Sequence, residues 1–324
     1  MKWRNLAAFG SISLAALGTA MAIKSTLPRR FLLEGPYEKG EILDTSGFPD
    51  IGVTFLRCGS VTVPEFIAVR GAFSLAPRTI VHSAVLIQHP RATFLYDTGL
   101  CSDITLFLIG QSLFFRKTLA NFTFEQSLAE HLEQMALKPH DLDFALISHL
   151  HWDHVGGIPD IPGVPLRINR IEFEAAQHGL LQQRQGLSRR LMGNNAIELF
   201  DCNGPIYEGF GSSCDLFGDG SIVLVPLAGH TIGNTGMFIN RSNGSRLFLL
   251  GDAAWVAENY LRPATMHPFI WSRVTSDDAL ACQTLLALHY LSRRHPEISM
   301  IAMHDAHLQE AFTRVEQPRL TQAR

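Results

Sequence analysis

Cysteine is scarce in this chain, and none of it is arranged for metal or redox work. Cys58, Cys101, Cys202, Cys214 and Cys282 are an odd count of five among 324 residues, and no CxxC pair occurs. Cys202 and Cys214 are near enough in sequence to pair in an oxidising compartment. Burial as small hydrophobes accounts equally for the others. Positive charge is as sparse. With 27 Lys and Arg against 30 Asp and Glu the formal net charge is −3, and basic residues go no further than pairs such as Arg189-Arg190 and Arg293-Arg294. Nucleic-acid binding needs a basic stripe, so no nucleic-acid partner is expected. Charged residues make up 18% and hydrophobic residues 46% of the chain, which excludes disorder and leaves ample material for a large core.

What the chain does have is a dense cluster of other metal-binding groups. His149-Leu150-His151-Trp152-Asp153-His154 packs four potential ligands into six residues. The preceding run Phe144-Ala145-Leu146-Ile147-Ser148 is short, apolar and bounded, which predicts a buried strand. Residues leaving a strand in extended form place i and i+2 on one side, so His149 and His151 converge. Asp153 and His154 follow where the chain must turn and can aim at a second point nearby. Imidazole and carboxylate without thiolate suit a borderline divalent cation such as zinc. The spacing is not that of HExxH, whose two histidines share one helical face, so a loop site is expected.

Along the chain, Lys2 and Arg4 precede the apolar run Leu6 to Ile23, and Ala20-Met21-Ala22 offers a small-x-small cleavage site. Residues 1–22 are therefore expected to be an export signal. A retained membrane anchor through residues 6–23 is the alternative, and either places the folded part in or facing the periplasm. Residues 23–50 read as a linker, 51–316 as the folded domain and 317–324 as a tail. Ile51 to Val69 and Ile80 to Tyr96 read as antiparallel strands, the second ending at Asp97. That aspartate either makes a turn through its own backbone or orients a metal-binding histidine. Ile104 to Phe115 is an apolar patch expected to pack in the core. Gln126 to Leu137, Ile171 to His178 and Asp277 to Arg294 carry helical spacing. Later strands are expected at Ser221–Pro226, Gly236–Asn240, Arg246–Leu250 and Ile298–Met303. Between or after them come His230 in a glycine-flanked turn, Asp252, and His304. Each would be unremarked alone, but all stand at strand ends, as the six-residue motif does.

With these residues in view, the sequence resembles the metallo-β-lactamase superfamily of hydrolases, whose pattern is HxHxDH followed by a distant His, Asp and His. The resemblance implies an α+β fold, a four-layer αββα sandwich with metals at one edge of the sheets. It also implies two divalent ions, with zinc the expected metal. His149, His151 and His230 would hold the first ion, and Asp153, His154 and His304 the second, with Asp252 bridging. LYDTG at residues 95–99 and GHTIGNTG at residues 229–236 look most like the N-acyl-homoserine lactonases. Trp255 stands where those enzymes carry a Tyr, and Asn234 where they often carry a second His. Trp152 and Trp255 are expected in the substrate pocket, Trp255 as an apolar wall and not as an essential proton or hydrogen-bond donor. The implied activity is the opening of a small-molecule lactone or ester, acyl-homoserine lactones among them, by a hydroxide shared between the metals. Asp153 would pass the proton to the leaving oxygen. Thioester or β-lactam hydrolysis at the same metals is the alternative.

Overall fold

The computed structural model describes residues 27–33, 38–177 and 186–313. The expected N-terminal signal or anchor, His178 and the C-terminal tail lie outside the described residues. Twelve strands form two sheets. The first uses β1 (Gly52–Pro64), β2 (Pro77–His89), β3 (Ala92–Thr98), β4 (Thr123–Phe124), β5 (Phe144–Ile147), β6 (Leu166–Asn169) and β7 (Ile197–Phe200). Their order is β4-β1-β2-β3-β5-β6-β7. The second uses β8 (Cys214–Asp215), β9 (Ile222–Pro226), β10 (Thr235–Asn240), β11 (Arg246–Leu249) and β12 (Ile298–Ile301), in the order β12-β11-β10-β9-β8. The expected strand Ile80 to Tyr96 is in fact the antiparallel hairpin β2–β3, because Pro90-Arg91 turns the chain within it.

Strand alternation sorts the apolar residues into layers. Val53, Phe55, Val85, Ile87, Phe94 and Tyr96 face inward and meet Leu224, Met237, Leu247 and Leu249 of the second sheet. Their neighbours Leu56, Ala84, Leu86 and Leu95 point the other way, under Leu128 and Leu132 of the helix Leu128–Gln134. On the far side Val223, Val225, Phe238 and Phe248 pack against Leu285 and Leu288 of the helix Asp278–Arg294. The result is helix, sheet, sheet, helix, the four-layer α+β sandwich expected from the sequence.

Helix ends follow local chemistry. Ser127 Oγ accepts from Glu130 N while Glu130 Oε2 accepts from Ser127 N, a capping box that sets the start of Leu128–Gln134. Asp277 caps the long helix by accepting from Leu280 N. The apolar patch Ile104 to Phe115 divides. Ile104, Leu108 and Phe115 join the core, whereas Leu106, Ile109, Leu113 and Phe114 are exposed, because one face of each short helix there is left uncovered. Among the described residues no helix is long and apolar enough to cross a membrane.

The glycine pair after the motif fixes how closely that loop approaches β3. A Cβ on Gly157 would stand 2.0 Å from the Thr98 carbonyl oxygen, while one on Gly47 would meet nothing within 4 Å. Gly157→Ala should therefore cost about 1–3 kcal/mol, the range for overpacking. Gly47→Ala should stay within roughly 0.5 kcal/mol, as surface changes do. Equilibrium denaturation of the two variants checks this, and equal midpoints would show that the loop yields.

Candidate metal centre

Every strand end that carries a candidate ligand opens at one edge of the two sheets. β5 leads into His149, and the motif then turns through the one-turn helix Trp152–Val155, with His151 at its N-cap. The β9–β10 turn supplies His230, the end of β11 Asp252, and the end of β12 His304. His149 and His151 converge as the extended exit predicts, with ring centroids 4.6 Å apart. The helical turn brings the His154 ring back beside His149, centroids 4.1 Å apart, and carries Asp153 to His82 and His304.

Three overlapping groups result, each with ligand atoms within 4.8 Å of one another: His149, His151, His230 and Asp252; His154, Asp252 and His304; and His82, Asp153 and His304. All seven residues singled out as ligands from the sequence are thus gathered, and Asp252 joins the first two groups. Its Oδ2 lies 3.2 Å from His230 Nε2, and its Oδ1 lies 3.1 Å from both His154 Nε2 and His304 Nε2. Asp153 differs from expectation. It groups with His304, at 3.7 Å, and with His82 of β2, at 3.2 Å, and shares no group with His154.

Three of the outward ring nitrogens are already committed. Asp97 Oδ2 holds His154 Nδ1 at 2.8 Å, Ser148 Oγ lies 3.0 Å from His149 Nδ1, and the Val81 carbonyl holds His304 Nδ1 at 2.7 Å. Such contacts fix tautomer and ring direction and leave each Nε2 aimed inward. Asp97 also accepts from Ser148 N and Ser148 Oγ, and its φ of +56° is rare for a residue with a side chain. Of the two roles open to Asp97 in the sequence, the contact with His154 is the one seen.

His149 Nε2, His154 Nε2 and Asp252 Oδ1 are buried and lack a hydrogen-bond partner. Unsatisfied buried polar atoms are costly, and these, His149 in the first group, His154 in the second and Asp252 in both, fit cations better than they fit each other. Charge agrees. Burial pushes His149 well below the usual imidazole range, His151 down to about 4 and His230 down to about 3, so these three are neutral lone-pair donors. Burial opposes charge on His154 and His304 too, yet Asp252, helped by Asp153, lifts both. The field that draws a proton there would draw a divalent cation equally. The residues present fit divalent metal.

Residues 78–281 match the model of the metallo-beta-lactamase superfamily, more than half of the chain. The chain belongs to that superfamily. It is 26% identical over 183 residues to an N-acyl homoserine lactonase of Bacillus sp, covering 54% of this chain but only 64% of that relative. A metallo-hydrolase of Mycobacterium tuberculosis is 26% identical over 279 residues, covering 80% of this chain and 82% of its own. Among solved structures, an N-acyl homoserine lactone hydrolase with N-hexanoyl-L-homoserine bound at its catalytic metal centre superposes with a TM-score of 0.62. It is 18% identical and covers 82% of this chain and 98% of its own. A metal-dependent hydrolase from Staphylococcus aureus gives 0.59 at 16% identity, over 79% and 90%. At these identities the likeness is one of fold.

Above this edge of the sheets lies a narrow cleft. Its floor includes His151, Asp153, Asp252 and His304, and its walls include Val61, Val63, Ile67, Leu119, Ile270 and Val274. Trp152 and Trp255 both line it, as expected. Trp255 also donates its indole N–H to Asp252 Oδ2, 3.0 Å away, the residue lying only three positions beyond that carboxylate. Asn234 does not take the place of a histidine in the cleft. Its Nδ2 donates to the Leu227 and Leu250 carbonyls, tying two strand ends together.

Two residues escaped the sequence reading. Glu172 is buried and accepts from Leu150 N at 2.8 Å and Gly233 N at 3.0 Å, strapping the motif loop to the His230 turn. Nothing in the sequence marks it, since a glutamate in the first turn of a helix is ordinary. His82 did leave a trace, a histidine inside the apolar strand run Ile80 to Tyr96.

Because Asp97 is the near partner of His154 Nδ1, at 2.8 Å against 3.5 Å for Ser148 Oγ, Asp97→Asn should weaken metal binding by about 10–100-fold, the usual effect of losing an outer partner. Competition with a chromophoric chelator measures this, with circular dichroism to confirm the fold. Wild-type affinity would show that His154 needs no such hold.

Proposed function

We propose that this protein is a dinuclear metallohydrolase that opens lactone or ester bonds in a small amphipathic substrate, with acyl-homoserine lactones the first candidates. The observation that carries this is Asp252, a carboxylate whose Oδ2 faces His230 and whose Oδ1 faces His154, with His304 Nε2 3.1 Å from both oxygens. His149, His151 and His230 would hold one ion, His154, His304 and Asp153 the other, and Asp252 would touch both. Two bound divalent ions, zinc being preferred by this donor set, supply Lewis acidity and a nucleophilic water at neutral pH.

The chain's own residues do the rest. Asp153 lines the cleft beside His151, His230 and His304. Burial alone would raise its carboxyl, but His154, His82 and His304 hold it well below the ordinary range. It is therefore an ionised acceptor at neutral pH, able to take a proton and return it to the leaving oxygen. Val61, Val63, Ile67, Leu119, Ile270 and Val274 shield the floor from water and accept an apolar substituent. The lactonase relatives support a lactone, and the apolar walls support one bearing an acyl chain. Export is part of the proposal, resting on Lys2, Arg4 and the apolar run to Ile23. A reporter fused after residue 50 and active only in the cytoplasm would overturn it.

Purified protein should contain two divalent ions per chain and lose turnover to a chelator. His151→Ala and Asp252→Ala should each lower kcat/KM by at least ~10²-fold, the scale of losing one positioned electrostatic group. A panel of lactones, thioesters, phosphodiesters and β-lactams assigns the substrate class. One ion or none in active protein would sink the dinuclear reading, and turnover confined to thioesters or β-lactams would sink the lactone.

A further inference from the structure

The third ligand group contains a histidine to which nothing in the HxHxDH pattern gives a task. His82 lies on β2 at 6% exposure, one residue beyond Val81, whose N and O both bond to His304. Its Nδ1 stands 3.2 Å from Asp153 Oδ2 and has no aligned hydrogen-bond partner. The ring is wedged, edge-on to Phe122 at 5.7 Å and to His304 at 5.5 Å, and tilted on Trp152 at 5.5 Å. A phenylalanine would fill the same slot without burying polar atoms, so packing alone does not account for a histidine here.

We propose that His82 is a positioning residue for Asp153: its Nδ1–H engages one carboxylate oxygen, so that the remaining lone pairs of Asp153 face the second metal position shared with His304. A lone aspartate side chain can rotate about two bonds, and a charge-assisted contact from a wedged ring removes that freedom. It also accounts for Asp153 grouping with His82 and His304 and not with His154. The inference rests on the dinuclear reading above.

The test is titration of metal-free protein with Co²⁺ alone, followed by visible absorption. Wild type should take up two equivalents. His82→Phe should bind the first equivalent normally and the second about 10–100-fold more weakly, with an altered visible band, as expected for loss of an outer partner. His82→Gln, which keeps a donor, should recover most of that loss. In an Asp153→Asn background the His82→Phe effect should vanish, since His82 acts through that carboxylate. Should metal-free His82→Phe fail to fold by circular dichroism, His82→Met, apolar and more adaptable, replaces it. Two normal equivalents in the apolar variant would overturn this proposal while leaving the dinuclear reading intact. His82→Gln as weak as His82→Phe would overturn it in favour of direct ligation. A single equivalent in wild type would overturn both.

Discussion

Five buried histidines around one buried carboxylate are the constraint that the rest of this structure meets. His149, His151, His154, His230 and His304 surround Asp252, and all six are nearly or wholly inaccessible. Such a cluster is unfavourable in a dry interior unless each ring is held in one tautomer and the negative charge is answered. Asp97, Ser148 and the Val81 carbonyl do the first, through the ring nitrogens that face away. The second requires positive charge, which is why burial leaves three of the rings neutral while Asp252 pulls the other two upward. A site poised in this way is built around cations.

The sandwich serves that constraint by delivering rigid chain ends to one edge. β3, β5, β11 and β12 run parallel to neighbours in one or other sheet, so their exits lie side by side. Contacts across the sheets then lock the exits together. Val81 N bonds the His304 carbonyl, Thr235 N bonds the Ser148 carbonyl, and Glu172 straps Leu150 to Gly233. Gly156 and Gly157 let the motif helix settle against the end of β3, where any side chain would collide with backbone. The same locking makes the floor of the cleft stiff and leaves selectivity to the walls, which come from β1, the short helix Glu65–Ala68, Leu119 and the helix Pro268–Val274.

Much of this was legible in the sequence because it is written in local terms. An apolar run followed by HxHxDH states a strand, an exit and a turn within a dozen residues, and the period of two alone places His149 and His151 together. His230, Asp252 and His304 could be singled out because each follows an apolar strand. The helix Asp278–Arg294 was legible from its stripe and its Asp277 cap. Residues whose role depends on a distant partner were not. Asp97 could have been an ordinary turn aspartate until His154, 57 positions on, was found against it. Glu172 and His82 carry no local mark of their contacts with Gly233 and Asp153, which lie 61 and 71 positions away. The contact of the Trp255 indole N–H with Asp252 was not legible either, because the direction of that bond follows from backbone course and not from residue type.

The sequence by itself determined the donor atoms, their order along strands, the layered alternation and the likeness to a superfamily, since all of these rest on residue type and short spacing. Tertiary structure alone decided the partition of Asp153 toward His82, the tautomers held by Asp97, Ser148 and Val81, and the apolar walls above the metal edge. These depend on angles and distances between segments far apart in the chain. Hydrogen bonds and electrostatic fields act through space, where a displacement of an ångström separates a ligand from a neighbour.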